Sequence, residues 1–181
     1  MLVALVLVTA LAVSSPSEEV KNTVEALKKA AGNKPQVRAL ILERMDLAEM
    51  GKRSLGRHWR NISDKERAEY LDVFAEYIEV FYRERVFNST GFIGTVEIKY
   101  LKEKIDGEFA AVETLIIAGS DRFSVVYKLH FVGGHWKAYD FIIENVSIVS
   151  SLRSQFDRIV SRESFAELLR KLRERIRELD K

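Results

Sequence analysis

Apolar residues recur at helical spacing in the first part of the chain. The first such segment is predicted as a helix from about Glu18 to Ala31, with Ser17 as its cap. Its apolar side consists of Val20, Val24 and Leu27. A turn is predicted at Gly32 to Pro35, and a second helical region from about Gln36 to Met50.

An unusually aromatic helix is predicted after residue 63. Ser63 and Glu66 have the spacing of a capping box, which marks the beginning of a helix. The helical pattern continues to about Val86. Its apolar stripe consists of Tyr70, Val73, Phe74, Tyr77, Ile78 and Phe81.

From Gly94 the period of the pattern changes to two, which indicates β-strands. Four strands are predicted, at Thr95–Lys102, Phe109–Ile117, Arg122–Val132 and His135–Ile143. Short turns containing glycine connect them, so the strands form an antiparallel meander. Two further helices are predicted, at about Val149–Val160 and Ser164–Leu179. Helices, then a bent four-stranded sheet, then helices indicate an α+β domain in which helices cover one face of the sheet.

The first residues have the pattern of a secretory signal peptide. Leu2 to Val13 is apolar apart from Thr9, and small residues follow it. The run is shorter than the roughly 20 residues that a membrane-spanning helix needs. We expect residues 1–14 to be a signal peptide and residues 15–181 to be a single domain. The alternative is an ordinary buried N-terminal segment.

Composition excludes several classes of function. The 181 residues contain no cysteine, which rules out disulfides and thiolate chemistry. A net charge of only +2 gives no general attraction to nucleic acid. The three histidines, His58, His130 and His135, lack the spacing of a zinc motif. No metal ion and no cofactor are therefore expected.

One charged residue stands in an apolar strand. Asp140 lies between Tyr139 and Phe141. A buried carboxylate usually pairs with an arginine or accepts backbone hydrogen bonds. We predict that Asp140 pairs with Arg153, or at least shares one polar network with it, in a structural role that ties the last strand to the helix that follows. The alternative is an acid or base in an enzyme.

Two segments carry a resemblance to a known family. In the first, Leu55-Gly56 and Trp59 precede the aromatic helix. In the second, Trp136-Lys137-Ala138-Tyr139-Asp140 is followed by Val146-Ser147 and then by Arg153 and Phe156. With their spacing and the order of the strands, these segments resemble the toluene-tolerance or MlaC family of periplasmic ABC-transporter auxiliary proteins.

The resemblance implies a cone-like (NTF2-like) fold with an apolar lipid cavity between sheet and helices. It implies a soluble, non-enzymatic periplasmic carrier of diacyl phospholipid, acting in outer-membrane lipid asymmetry. The implied partners are an inner-membrane MCE-domain transporter complex and an outer-membrane lipoprotein complex.

Aromatic and aliphatic positions on the predicted helix and strands are the candidates for the lipid-binding wall. They are Val73, Phe74, Tyr77, Ile78, Phe81, Val125, Tyr127, Leu129, Trp136, Tyr139, Ile142 and Val146. Pattern alone cannot separate a lined cavity from a filled core. The alternatives to a carrier are a structural or interaction domain of the periplasm and an enzyme of similar fold that uses Asp140.

Overall fold

A computed structural model describes residues 14–88 and 96–181, except for the side chains of residues 85–88. The predicted signal peptide lies almost wholly outside these ranges. The helices described are α1 (Pro16–Ala30), α2 (Lys34–Arg44), α3 (Leu47–Leu55), α4 (Asp64–Asn88), α5 (Ile148–Arg162) and α6 (Phe165–Leu179). The strands are β1 (Glu97–Asp106), β2 (Phe109–Ala118), β3 (Asp121–Val132), β4 (His135–Ile143) and β5 (Val146–Ser147). Within the described ranges, no helix has both the length and the apolar character needed to cross a membrane.

Helix α1 begins earlier than predicted. The cap is Ser15, whose hydroxyl accepts a hydrogen bond from the Glu18 N–H at 3.2 Å. The Glu18 carboxylate in return accepts from the Ser15 N–H at 2.9 Å. Ser17 was the wrong cap because Ser15 has the reciprocal glutamate three residues later and Pro16 at the first helical position.

The second predicted helix is two helices, broken at Met45 and Asp46. The Asp46 carboxylate accepts from the Glu49 N–H at 3.0 Å and so caps α3. The Asp46 N–H donates to the Ala138 carbonyl of β4 at 2.9 Å rather than continuing α2. This backbone contact ties the helical layer to the sheet.

The sheet is an antiparallel meander in the order β1-β2-β3-β4-β5. The four long strands agree with the prediction, and the two-residue β5 adds a short fifth strand. The predicted α+β class is therefore confirmed. The first hairpin turns at Gly107, whose φ of +59° is a left-handed conformation that favours glycine.

Two buried clusters share the interior. The larger lies among the helices, where Phe74 of α4 packs with its ring centroid 6.3 Å from that of Phe156 in α5. Gly51 lets α3 approach α4, since a Cβ there would lie 2.9 Å from the Phe74 ring. The smaller cluster lies against the sheet and includes Val112 and Leu129.

Candidate functional site

A cavity of about 280 Å³ lies between the sheet and helices α1 and α2. Most of its wall is aliphatic or aromatic. The wall residues are Glu19, Val20, Thr23, Val24, Leu27, Leu40, Ile41, Arg44, Met45, Tyr82, Ile116, Val125, Tyr127, Leu129, Trp136, Ala138, Phe141 and Ile143.

Helix α1 contributes its apolar side to this wall. Val20, Val24 and Leu27, spaced one turn apart in sequence, all line the cavity. Ser15 caps the beginning of this helix. The apolar side of α1 thus partly faces the open cavity and not a filled core.

The sheet side of the wall depends on a bulge in β4. The pairs Val125–Ile143 and Tyr127–Phe141 lie opposite each other, as do Leu129 and Ala138. The register shifts between Lys128 and Leu129, and Tyr139 is the extra residue on β4. Wall positions on β4 are therefore Trp136 and Ala138 before the bulge and Phe141 and Ile143 after it.

Four of the predicted lipid-binding residues line the cavity: Val125, Tyr127, Leu129 and Trp136. Their contact with a lipid stays a prediction. Each lies on the sheet face that the alternating pattern of β3 and the start of β4 indicates.

The candidates on α4 lie outside the wall. Val73, Phe74 and Ile78 are buried in the helical cluster. The rings of Tyr77 and Phe81 contact each other in a tilted arrangement, with centroids 6.0 Å apart. Within the stripe, Tyr70 and Phe74 pack against Phe156 of α5, and Tyr70 also packs against Phe165 of α6. Among the described side chains of α4, it is Tyr82 that reaches the cavity.

The remaining candidates, on β4 and β5, also lie outside the cavity wall. Tyr139 lies away from the cavity wall, with its ring 4.6 Å from the Arg53 guanidinium carbon and near Phe109. Ile142 pairs with Val126 on the face opposite the wall. Val146 is 57% exposed.

Strict alternation does not predict the wall positions at the end of β4, because an alternating apolar pattern contains no signal for the one residue that a bulge inserts. Counted from Trp136, alternation misplaces Phe141 and Ile143, which lie after the bulge. Ala138 lies before the bulge on the same face as Trp136, so alternation does indicate it, although it was not among the candidates. The missed residues of α1 had a signal in the spacing of Val20, Val24 and Leu27. That spacing shows an apolar side but not what covers it.

Two charged side chains interrupt the apolar wall. Glu19 has a side chain that is 8% exposed, and its carboxylate accepts a hydrogen bond from Arg44 Nη1 at 2.9 Å. The Nδ1 atom of His135 lies 3.2 Å from the other carboxylate oxygen. Arg44 also contacts the Glu43 carboxylate through Nη2 at 3.1 Å.

Tyr127 is the ionisable phenol in the middle of the wall. Burial raises its pKa to about 12, with a smaller contribution from Tyr100. The Tyr127 ring packs edge-on against Phe141, with ring centroids 5.6 Å apart. A phenol with this pKa stays neutral at physiological pH, which suits an apolar wall.

The predicted pair of Asp140 and Arg153 does not form. Asp140 is buried and accepts from the Ser147 hydroxyl at 2.6 Å and from the Val149 N–H at 3.0 Å. Arg153 Nε donates instead to the Arg53 carbonyl at 2.8 Å. The carboxylate is satisfied by the beginning of α5, which lies only seven to nine residues further along the chain.

The histidines contact carboxylates on other elements. His58 Nε2 lies 2.8 Å from Asp157, and His130 Nδ1 lies 2.6 Å from Asp46. Among the described residues, no group of three or more histidine, aspartate or glutamate side chains is placed to hold a metal ion.

Comparison with known proteins gives one family match and one curated relative. A sequence model described as "MlaC protein" matches residues 15–174. The "Intermembrane phospholipid transport system binding protein MlaC" of Haemophilus influenzae is 23% identical over 142 residues. The match covers 76% of this chain and 65% of that protein, so the chain spans just under two thirds of the relative's length.

A solved structure has the same fold. It is a phospholipid-binding protein from Ralstonia solanacearum in complex with a phospholipid, with a TM-score of 0.77 and 20% sequence identity. The superposition covers 93% of this chain and 100% of that one.

Proposed function

Because this chain belongs to the MlaC protein family, we propose that it binds phospholipid and transports it, with acyl chains held in the cavity between the sheet, α1 and α2. The apolar wall of that cavity is the observation that carries the proposal. Its supports are the curated relative, named as a phospholipid transport binding protein, and a neighbour in fold that holds a phospholipid.

The physical need for such a cavity follows from the ligand. A diacyl lipid has about 30 acyl CH₂ groups, and each costs roughly 0.8 kcal/mol to expose to water. Transfer through water therefore requires a protein that removes the chains from solvent. A wall of aliphatic and aromatic side chains does this without any directional contact.

The finer proposal concerns place and partners. The protein is a soluble periplasmic carrier that moves glycerophospholipid between an outer-membrane lipoprotein complex and an inner-membrane MCE-domain transporter complex. It thereby contributes to outer-membrane lipid asymmetry. The apolar run at Leu2 to Val13 supports export, with residues 1–14 removed as a signal peptide. N-terminal sequencing of protein from its host tests this, and an intact leader contradicts it.

An enzyme that uses Asp140 is the weaker alternative. The Asp140 carboxylate already accepts hydrogen bonds from Ser147 and from the Val149 N–H. Both bonds fix the beginning of α5, which favours a structural role for this carboxylate.

Mass spectrometry of the intact protein under native conditions tests lipid binding. The purified protein is expected to carry phospholipid, or to acquire it from vesicles. Thr23→Trp places a ring in the wall and is expected to reduce the lipid-bound fraction. Asn22→Trp is the matched control, because Asn22 is the exposed neighbour of Thr23 on α1. Equal loading of both variants, or no lipid on the unmodified protein, contradicts the proposal.

A further inference from the structure

Glu19 and Arg44 are the charged residues among the described side chains that line the cavity. Their contact joins α1 to α2, with 2.9 Å between the carboxylate and the guanidinium. The Arg44 side chain is 27% exposed, and the neighbouring His135 side chain is 64% exposed. Among the described residues, the side chains at this end of the cavity are therefore in contact with water.

Among the described wall residues, charge is confined to one end of the cavity. Glu19 lies in the first turns of α1, and Leu27 lies two turns further on, about 12 Å along the helix axis. The wall beyond Glu19 on this helix is formed by Val20, Thr23, Val24 and Leu27. A ligand with one charged end and long apolar chains matches this division.

Packing alone does not account for the charged pair. A buried ion pair generally contributes no more to stability than apolar residues of similar volume would. Burying the Glu19 carboxylate in this otherwise apolar wall nevertheless costs desolvation free energy. A ligand that makes hydrogen bonds to both partners would offset that cost.

We propose that Glu19 and Arg44 form a head-group subsite that selects a phospholipid carrying both a phosphate and a primary ammonium. This inference rests on the proposed function. Arg44 donates to the phosphate, and Glu19 accepts from the ammonium. Both bonds are charge-assisted, which makes them stronger than bonds between neutral groups.

The local charge balance favours this class of head group over a purely anionic one. Arg44 faces two carboxylates, those of Glu19 and Glu43. Adding a phosphate alone would leave more negative than positive charge around one guanidinium. An ammonium on the same head group restores the balance beside Glu19.

The first experiment uses the unmodified protein stripped of lipid. It is incubated with vesicles of equal parts phosphatidylethanolamine, phosphatidylglycerol and phosphatidylcholine of identical chains, and bound lipid is identified by native mass spectrometry. We expect roughly tenfold enrichment of phosphatidylethanolamine over each competitor, which corresponds to about 1.4 kcal/mol. Phosphatidylcholine is the sharper comparison, because it has the same net charge but no N–H donor on its ammonium.

The second experiment changes the pair. Glu19→Gln replaces the charged acceptor for the ammonium by a neutral amide oxygen and relieves Arg44 of one carboxylate, so the ratio of phosphatidylethanolamine to phosphatidylglycerol is expected to fall by roughly tenfold. Arg44→Gln is expected to lower the loading of all three lipids. Glu25→Gln is the matched control, since Glu25 is an exposed residue of α1 paired with Lys28 and lies outside the wall.

The outcomes separate the subsite from lipid binding itself. Equal loading of the three lipids by the unmodified protein overturns the subsite and leaves lipid binding intact. If folded Glu19→Gln keeps the same head-group ratio and only its total loading falls, the pair serves to hold α1 in place. That result also overturns the subsite. Loading of no phospholipid overturns the proposed function together with the subsite. If Glu19→Gln fails to fold, the comparison of phosphatidylethanolamine with phosphatidylcholine on unmodified protein decides.

Discussion

The buried Asp140 side chain is held by near neighbours in sequence and not by the arginine that its charge suggested. The Ser147 hydroxyl and the Val149 N–H satisfy its carboxylate, while Arg153 bonds elsewhere. The sequence correctly identified a carboxylate that needs compensation. It left the partner open between an arginine and backbone donors, because only the tertiary structure shows how the beginning of α5 lies against β4.

Unfolding measurements on a double-mutant cycle test these partners. Asp140→Ala is expected to lower the free energy of unfolding by roughly 2–4 kcal/mol, because the buried Val149 N–H loses its acceptor. Arg153→Ala is expected to cost about 1 kcal/mol. The two effects should add to within about 0.5 kcal/mol. A coupling energy well above that value in urea titrations would restore the predicted ion pair.

Ionisation of Tyr127 makes the free energy of unfolding depend on pH. Its pKa is about 12 in the folded protein, raised by burial from an ordinary value of 10. The folded state therefore holds the phenolic proton more tightly than the unfolded state. The resulting stability is fully present below pH 10 and is lost as the pH rises through 12.

The measurement compares the unmodified protein with Tyr127→Phe between pH 9 and 12. The unmodified protein is expected to lose roughly 2–3 kcal/mol more of its unfolding free energy over this range. The difference between the two proteins removes the contribution of other tyrosines and lysines, which titrate in both. Parallel pH profiles would show that the Tyr127 phenol is not buried in the folded state.

At the scale of the element, one extra residue in β4 decides which side chains face the cavity. The bulge at Tyr139 places Phe141 and Ile143 on the wall and Ile142 on the opposite face. Without the bulge, Ile142 would share the face of Trp136 and Ala138, and Phe141 and Ile143 would lie on the opposite face. Bulges depend on the pairing of two strands, and neither strand alone encodes them.

Two adjacent isoleucines test this assignment directly. Ile143→Trp is expected to narrow the cavity and reduce the lipid-bound fraction, whereas Ile142→Trp should leave it unchanged. Lipid content is measured by native mass spectrometry, and the midpoint of thermal unfolding checks that each variant folds. A loss of lipid in Ile142→Trp alone would show that β4 has no bulge in solution.

At the scale of the whole molecule, helix α1 is a wall of the cavity rather than part of the main core. Val20 belongs to the sheet cluster. Helix α1 contributes Ala30 to the large helical cluster, but most buried residues of that cluster lie on α2 to α6. The cavity, at about 280 Å³, is just below the range of roughly 300–1,000 Å³ typical of ligand pockets. Two acyl chains would therefore require α1, α2 and the sheet to separate further.

Hydrogen exchange measured on lipid-free and lipid-loaded protein tests whether α1 lies against the lipid while α4 packs against other helices. A bound lipid replaces open space beneath α1, so amide protection in α1 is expected to increase by about tenfold or more on loading. Protection in α4 should change far less, because Phe74 and Ile78 pack against other helices in both states. An equal change in both helices would indicate that lipid stabilises only the global fold.

The sequence by itself determined the class of fold and the order of its elements, and its motifs carried the resemblance to the MlaC family. The class of fold and the order of elements depend on local periodicity, on capping residues such as Ser63 and Glu66, and on glycine turns such as Gly107, all of which act within a few residues. Only the tertiary structure decided which apolar side faces a cavity and which a filled core. An apolar stripe records that a surface avoids water. Whether a packed helix, as for Phe74, or an open cavity, as for Val24, lies against it depends on how distant elements meet.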